Sequence, residues 1–204
     1  TEIALGMADA RALQAAVDRL ENRGVKRIAA VPLFVHTRSE VLDQTRYALG
    51  LSDKPSEVLR AATAHGHAHM FSTERVKTRV PVAMSSALDD HPLVARVLLE
   101  RARALSISPA REVVVLVAHG PVDDAALPAW RETLAALAAK VRAAGGFKAA
   151  GYGVLRDDAA PAVRAAAVAG VRATVAAAGL GGPAPGLGGR ALVVPVLIAR
   201  GGIE

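Results

Sequence analysis

Three short stretches run an apolar segment into residues able to bind a metal, move a proton or grip an anion. In Val117-Ala118-His119-Gly120 the apolar run delivers an imidazole to its tip, and the glycine lets the backbone turn sharply beside it. An imidazole held there can ligate a divalent metal or accept a proton near neutral pH. The competing reading is that His119 caps the next helix and Gly120 only turns the chain. The second stretch, residues 31–40, passes from Val31-Pro32-Leu33-Phe34-Val35 into a polar loop holding His36, Arg38, Ser39 and Glu40. Glu40 offers a carboxylate and His36 a second base, while Arg38 and Ser39 can donate to an anion. Alternatively, Ser39 or Glu40 begins a helix, where acidic residues suit the first turn. The third stretch, Arg200-Gly201-Gly202-Ile203-Glu204, is glycine-rich, with a guanidinium in front and a carboxylate behind.

Other histidines read more plainly. His65, His67 and His69 alternate, so an extended segment would place them on one side as a loose metal site; a loop is the simpler reading. His91, in Asp89-Asp90-His91-Pro92, reads as a turn and helix-start residue. Gly151-Tyr152-Gly153 lacks the lysine and the glycine spacing of a phosphate loop. The 204 residues include no cysteine, which excludes disulfides, thiolate metal sites and a thiol nucleophile from this segment. Metal chemistry must then rest on histidine and carboxylates, and the composition fits a reducing cytoplasm. A net charge of +6 comes from arginines spread through alanine-rich stretches, without aromatic residues between them. That pattern suits a small polyanionic ligand at least as well as a duplex, and no nucleic-acid partner is predicted. The longest apolar runs, residues 113–118 and 191–199, fall short of the ~18 residues of a membrane span. Neither a membrane partner nor a signal peptide is predicted.

The scaffold that must position these residues alternates strand and helix. Residues 27–34, 80–84, 112–118 and 191–198 read as buried parallel strands, with 3–5 and 149–154 as secondary candidates. Asp9 caps a helix reaching about Arg23, with Leu13, Val17 and Leu20 on one face. Further helices are predicted over about 91–104, with Pro92 in its first turn, over 125–144, and from Pro161 to about Ala178. The alternation predicts an α/β fold with parallel sheets covered on both faces. A strand, a helix and a strand ending in Val-Pro occur twice, first from Glu2 to Val35 and again from Ala149 to Ile198. The second copy carries a Gly- and Pro-rich loop over 179–189.

A hydrophobic strand ending in His-Gly, together with a Val-Pro-Leu-Phe strand leading into a polar loop, resembles the sirohydrochlorin chelatases of the CbiX type. These are class II chelatases of the cobalamin and siroheme pathways. The segment Ala87-Leu88-Asp89-Asp90-His91-Pro92-Leu93-Val94 is similar to one this family places between its lobes. The resemblance implies two tandem flavodoxin-like lobes, residues 1–108 and 109–204, truncated at both ends. It implies insertion of Co(II) or Fe(II) into a tetrapyrrole, with the metal as substrate and no permanently bound cofactor. His119 matches the family's histidine before glycine. The family's second histidine falls on Glu40 in the first lobe and on Ile203, beside Glu204, in the second. The implied metal ligands are therefore His119, Glu40 and Glu204, with Glu40 assisted by His36 as base. Arg38, Ser39, Gly120, Arg200, Gly201 and Gly202 are left to hold the substrate. The exposed Val-Pro edge suits a homo-oligomer. A non-catalytic tetrapyrrole- or metal-binding protein on the same fold is the alternative, and a phosphate-binding flavodoxin-like domain the third reading.

Overall fold

A computed structural model describes residues 1–4, 8–55, 74–179 and 189–197 of the chain. His65, His67, His69, Arg200, Gly201, Gly202 and Glu204 lie outside the described residues, as does most of the loop over 179–189. The chain divides into two compact units. The first comprises Thr1–Leu33 and Thr37–Ala87, the second Phe34–His36 and Leu88–Glu204.

In the first unit, helix α1 (Ala10–Asn22) starts where Asp9 Oδ1 accepts from the Arg11 N–H at 2.9 Å, as the sequence predicts. Strand β1 (Ile28–Ala30) pairs in parallel with β2 (Val82–Met84), Ile28 opposite Val82 and Ala30 opposite Met84. Helix α2 spans Glu40–Ala48. Val17, Ile28, Leu49 and Val76 form the buried centre, with Leu13, Leu20 and Val82 packed around it. Both strands are shorter than the sequence suggests, and proline explains it. Pro32 and Pro81 bring no N–H to a ladder, so β1 stops before Val31-Pro32 and β2 begins only after Pro81. Residues 1–4 form no strand.

The second unit holds α3 (Pro92–Leu105), β3 (Glu112–Ala118), α4 (Leu127–Gly145), β4 (Ala149–Val154), α5 (Pro161–Gly179) and β5 (Arg190–Pro195). Its parallel strands lie in the order β4-β3-β5, with Ala118 opposite Val154 and Val117 opposite Pro195. Taken in chain order that is second–first–third, the arrangement with which a flavodoxin-like sheet begins. Alternate residues of β3 and β5 (Val114, Leu116, Ala118, Leu192, Val194) pack against Leu98, Leu99 and Ala102 of α3 and Trp130, Leu134, Leu137 and Val141 of α4. Helix α5 covers the other face. It does so at close range because Gly153 has no side chain: a Cβ there would lie 2.7 Å from Val171 Cγ2. Gly151-Tyr152-Gly153 is thus strand, not loop. Helix α5 is also, by length and composition, apolar enough to cross a membrane, at a mean hydropathy of 1.2. Its residues nonetheless lie against β3, β4 and β5 as a sheet-covering helix does.

His91 starts α3, its Nδ1 accepting from the Leu93 N–H at 3.2 Å, in keeping with the sequence reading. Because α3 packs on α4 and β5, the division between compact units falls after Ala87 rather than at residue 108. At the amino end of β3, Glu112 is only 2% exposed. Burial raises its pKa, but hydrogen bonds from the Ser106 hydroxyl and from the N–H groups of Ile107 and Ser108, together with Arg190, outweigh that and leave it lowered.

Candidate functional site

In a parallel sheet the loops carrying chemistry leave the carboxyl ends of the strands. The tips of β3 and β4 are level with one another, since Ala118 faces Val154 in the ladder. Past that rung the two chains stay joined: Leu155 N–H donates to Ala118 O at 2.9 Å and Arg156 N–H to His119 O at 2.6 Å. His119 stands on this platform with 35% of its side chain exposed. Its Nδ1 lies 2.8 Å from the Gly120 carbonyl oxygen. A carbonyl only accepts, so Nδ1 carries the proton and donates, and Nε2 is the nitrogen left to face outward. There it meets Asp158 Oδ2 at 3.1 Å.

Gly120 has the left-handed φ of 80°, and a Cβ at this position would meet Val154 Cβ at 2.9 Å. Glycine is required here on both counts, and the turn is what sends residues 121–124 back across the tip of β4. Arg156 fixes that course. It is 7% exposed and itself has a left-handed φ of 55°. Its Nε donates to Pro121 O at 3.0 Å, its Nη2 to Val122 O, and its Nη1 to Asp124 Oδ1 at 2.5 Å. Asp123 then caps the short 3-10 turn Asp124–Ala126 that leads into α4. Beyond Arg156, Asp157 Oδ1 accepts from Arg164 Nε of α5 at 3.1 Å, which pins the residue next to Asp158. At the tip of β5, Arg101 of α3 donates to Pro195 O at 3.0 Å and Leu197 O at 2.6 Å.

The second predicted stretch is divided between the units. In the first unit, Ser39 occupies the N-cap position of α2 and Glu40 is the helix's first residue, with Arg38 exposed just before them. Ser39 makes no side-chain cap; its carbonyl accepts from the N–H groups of Leu42 and Asp43, both at 3.0 Å. Glu40 and Asp43 place two carboxylates in the first turn, where the helix dipole favours them. His36 belongs to the second unit and departs from the sequence reading. It is 4% exposed, stacked on Trp130 at 4.5 Å between ring centroids, with Nε2 3.1 Å from Thr133 Oγ1 and 3.3 Å from Ala129 O. An imidazole enclosed in this way anchors its segment to α4 and is shut away from a solvent-borne substrate, so the assisting-base role is withdrawn. The aromatic partner that buries it lies some ninety residues downstream, and no local spacing announces it.

Among the described residues no group of three His, Asp or Glu side chains converges as a metal cage. Asp158, the acid that His119 meets, was missed in the sequence, as was Arg156. The signal that would have found both is the Leu-Arg-Asp-Asp run directly after residues 149–154, read as a strand tip. A groove of about 630 Å³ runs along the outer edge of β4, lined by Leu127, Arg131, Val154, Arg156 and residues of α5, and does not include His119. A second, of about 520 Å³, lies in the first unit beside Leu49, Val76 and Pro81, away from Arg38–Glu40.

The model of one protein family, CbiX, matches residues 2–105, a little over half of the chain. The matched stretch takes in Arg38, Ser39 and Glu40 and ends with α3, before His119. No curated protein and no solved structure gives a significant match.

Proposed function

The chain belongs to the CbiX family of sirohydrochlorin chelatases, whose chemistry is metal insertion into a tetrapyrrole, and we propose on that basis that it inserts Co(II) or Fe(II) into sirohydrochlorin, in cobalamin or siroheme synthesis. The reaction takes one M²⁺ and a macrocycle bearing two pyrrolic N–H groups to a metallated macrocycle and two protons. It needs a ligand that holds the metal without trapping it, a base for the protons, and cations for the peripheral carboxylates.

The observation that carries this reading is His119: a partly exposed imidazole on a strand tip, its Nδ1 proton committed to Gly120 O and its Nε2 turned outward. A neutral imidazole fixed in one tautomer is a ready ligand for Co(II) or Fe(II), and a chain with no cysteine offers no soft thiolate to retain the metal. Gly120 serves by setting the turn that aims the ring. Glu40 is assigned as the carboxylate ligand or base of the first unit, with Ser39 beside it. Arg38 is assigned to a peripheral carboxylate, to which a guanidinium donates two parallel hydrogen bonds. Arg200, Gly201, Gly202 and Glu204 keep their place in the proposal through the resemblance alone.

A second reading has an observation of its own. With His36 buried and no three-residue ligand group among the described residues, the chain has the makings of a protein that holds metal or tetrapyrrole without joining them. The two part in one assay: sirohydrochlorin with Co(II) or Fe(II), followed by visible absorption, for the wild type and His119→Ala. Chelatase activity predicts accelerated insertion that His119→Ala abolishes. Spectral binding with an uncatalysed insertion rate in the wild type rejects it for the second reading.

A further inference from the structure

We propose that Asp158 is the second ligand to the metal substrate, so that His119 Nε2 and Asp158 Oδ2 grip the ion together at the tips of β3 and β4. The inference rests on the metal-holding role given to His119 above and adds the residue that completes it.

The argument begins with the tautomer. Gly120 O accepts a hydrogen bond from Nδ1–H, so a neutral His119 presents a lone pair at Nε2, and it presents it to a carboxylate oxygen 3.1 Å away. Two lone pairs at that distance repel unless a cation lies between them, either a proton or a metal. The separation itself matches a metal: with bonds of about 2.1 Å to nitrogen and oxygen, adjacent ligand atoms in an octahedral shell sit about 3.0 Å apart. The pair is therefore spaced as neighbouring ligands are, without rearrangement.

Both side chains are held from behind. His119 follows the last rung of β3, and its carbonyl is fixed by the Arg156 N–H at 2.6 Å. Asp158 follows Arg156, which is locked into the 121–124 loop, and Asp157, which Arg164 pins. The ligand ends remain open, with the His119 side chain 35% and that of Asp158 70% exposed. Two protein ligands on an open face leave the rest of the coordination shell to water and incoming macrocycle nitrogens. That is a grip suited to cargo. A closed four-ligand cage would keep the ion.

The test uses the full chain and Co(II) alone, with affinity from calorimetry and ligand identity from the visible d–d bands. Asp158→Asn should weaken Co(II) binding about 10- to 100-fold and shift the bands, while leaving the metal-free melting temperature unchanged; Asp158→Glu should recover part of the affinity. His119→Ala should abolish binding. If Asp158→Asn leaves affinity within about twofold and the bands unmoved while His119→Ala loses the metal, Asp158 is no ligand and the His119 assignment stands. If His119→Ala binds Co(II) as the wild type does, the metal-holding role of His119 fails and this proposal goes with it.

Discussion

Replacing Arg156 removes a buried cation whose donors are spent on backbone carbonyls, and the cost can be worked from its contacts. Nε and Nη2 serve Pro121 O and Val122 O, and Nη1 serves Asp124. The Asp124 side chain is largely exposed, so that pair contributes only about 0–1 kcal/mol. The two charge-assisted bonds to carbonyls are worth about 1.5–3 kcal/mol each, because their loss leaves acceptors without donors. Partial opening of the 121–124 loop would rehydrate those carbonyls and return some of it, so Arg156→Ala should cost about 2–4 kcal/mol. Backbone conformation supplies an internal control. A left-handed residue with a Cβ carries roughly 1–2 kcal/mol of strain, so Arg156→Gly should be milder than Arg156→Ala by about 1 kcal/mol. Lysine, with one compact ammonium, cannot span three acceptors and should fall between the wild type and alanine. Trp130 is the chain's single tryptophan and is buried in the same unit, so its fluorescence through a urea titration reports this unit directly. An Arg156→Ala midpoint corresponding to less than about 0.5 kcal/mol would refute the clamp, as would glycine faring no better than alanine.

Two further perturbations follow from the structure. Glu21 accepts from the Arg79 N–H at 2.5 Å, from Arg79 Nε at 2.7 Å and from the Thr78 hydroxyl at 3.0 Å, contacts that lower its pKa from 4.5 to about 2. A depressed carboxylate stabilises the fold above the unfolded value and loses that contribution as pH falls from 4.5 towards 2, so Glu21→Gln should flatten the acid limb of a circular-dichroism unfolding profile across that interval; a mutant limb parallel to the wild type's counts against it. Gly153→Ala sets a methyl group 2.7 Å from Val171 Cγ2 and should cost about 1–3 kcal/mol by overpacking. Adding Val171→Ala should restore part of that loss, and strictly additive costs in the double mutant would show that the two residues do not collide.

How far the fold was legible varies with how local its causes are. Residues 112–118 read correctly to the residue because Val113–Val117 is an uninterrupted β-branched and leucine run, flanked by charge and glycine, that packs on both faces of a sheet. The Asp9 cap and the His91-Pro92 start are equally local, since each involves a side chain and a backbone group two positions away. The proline-containing strands were read too long, because periodicity registers hydrophobicity while a ladder registers N–H donors. The Val-Pro pair that marks the internal repeat is where strand β1 stops and where β5 ends, so it repeats a terminator more than a strand. The division between units depends on α3 packing against α4, an association between residues far apart in sequence that no local pattern contains.

For the candidate site, the strand tip was legible in the sequence and its surroundings were not. A histidine before glycine at the end of an apolar run located His119, but titratable type alone cannot separate an anchor from a reagent. His36 and His119 look alike in sequence; one lies under Trp130, and the other faces Asp158. The same ambiguity affects arginine. The basic charge suggested cations waiting for an anion, yet Arg101 and Arg156 donate to the chain's own carbonyls at the tips of β5 and β4. What separates the two ends of the central strand is satisfaction. At the amino end Glu112 is enclosed by donors from Ser106, Ile107, Ser108 and Arg190, and its charge is fully answered. At the carboxyl end His119 and Asp158 bring two acceptor atoms to within 3.1 Å of each other and leave both open to solvent, so their mutual contact is favourable only with a cation between them. An incoming divalent ion would reach these two side chains from solvent, while at Glu112 it would have to displace a guanidinium, a hydroxyl and two backbone N–H groups. For that reason the proposal places the metal at the carboxyl end of β3.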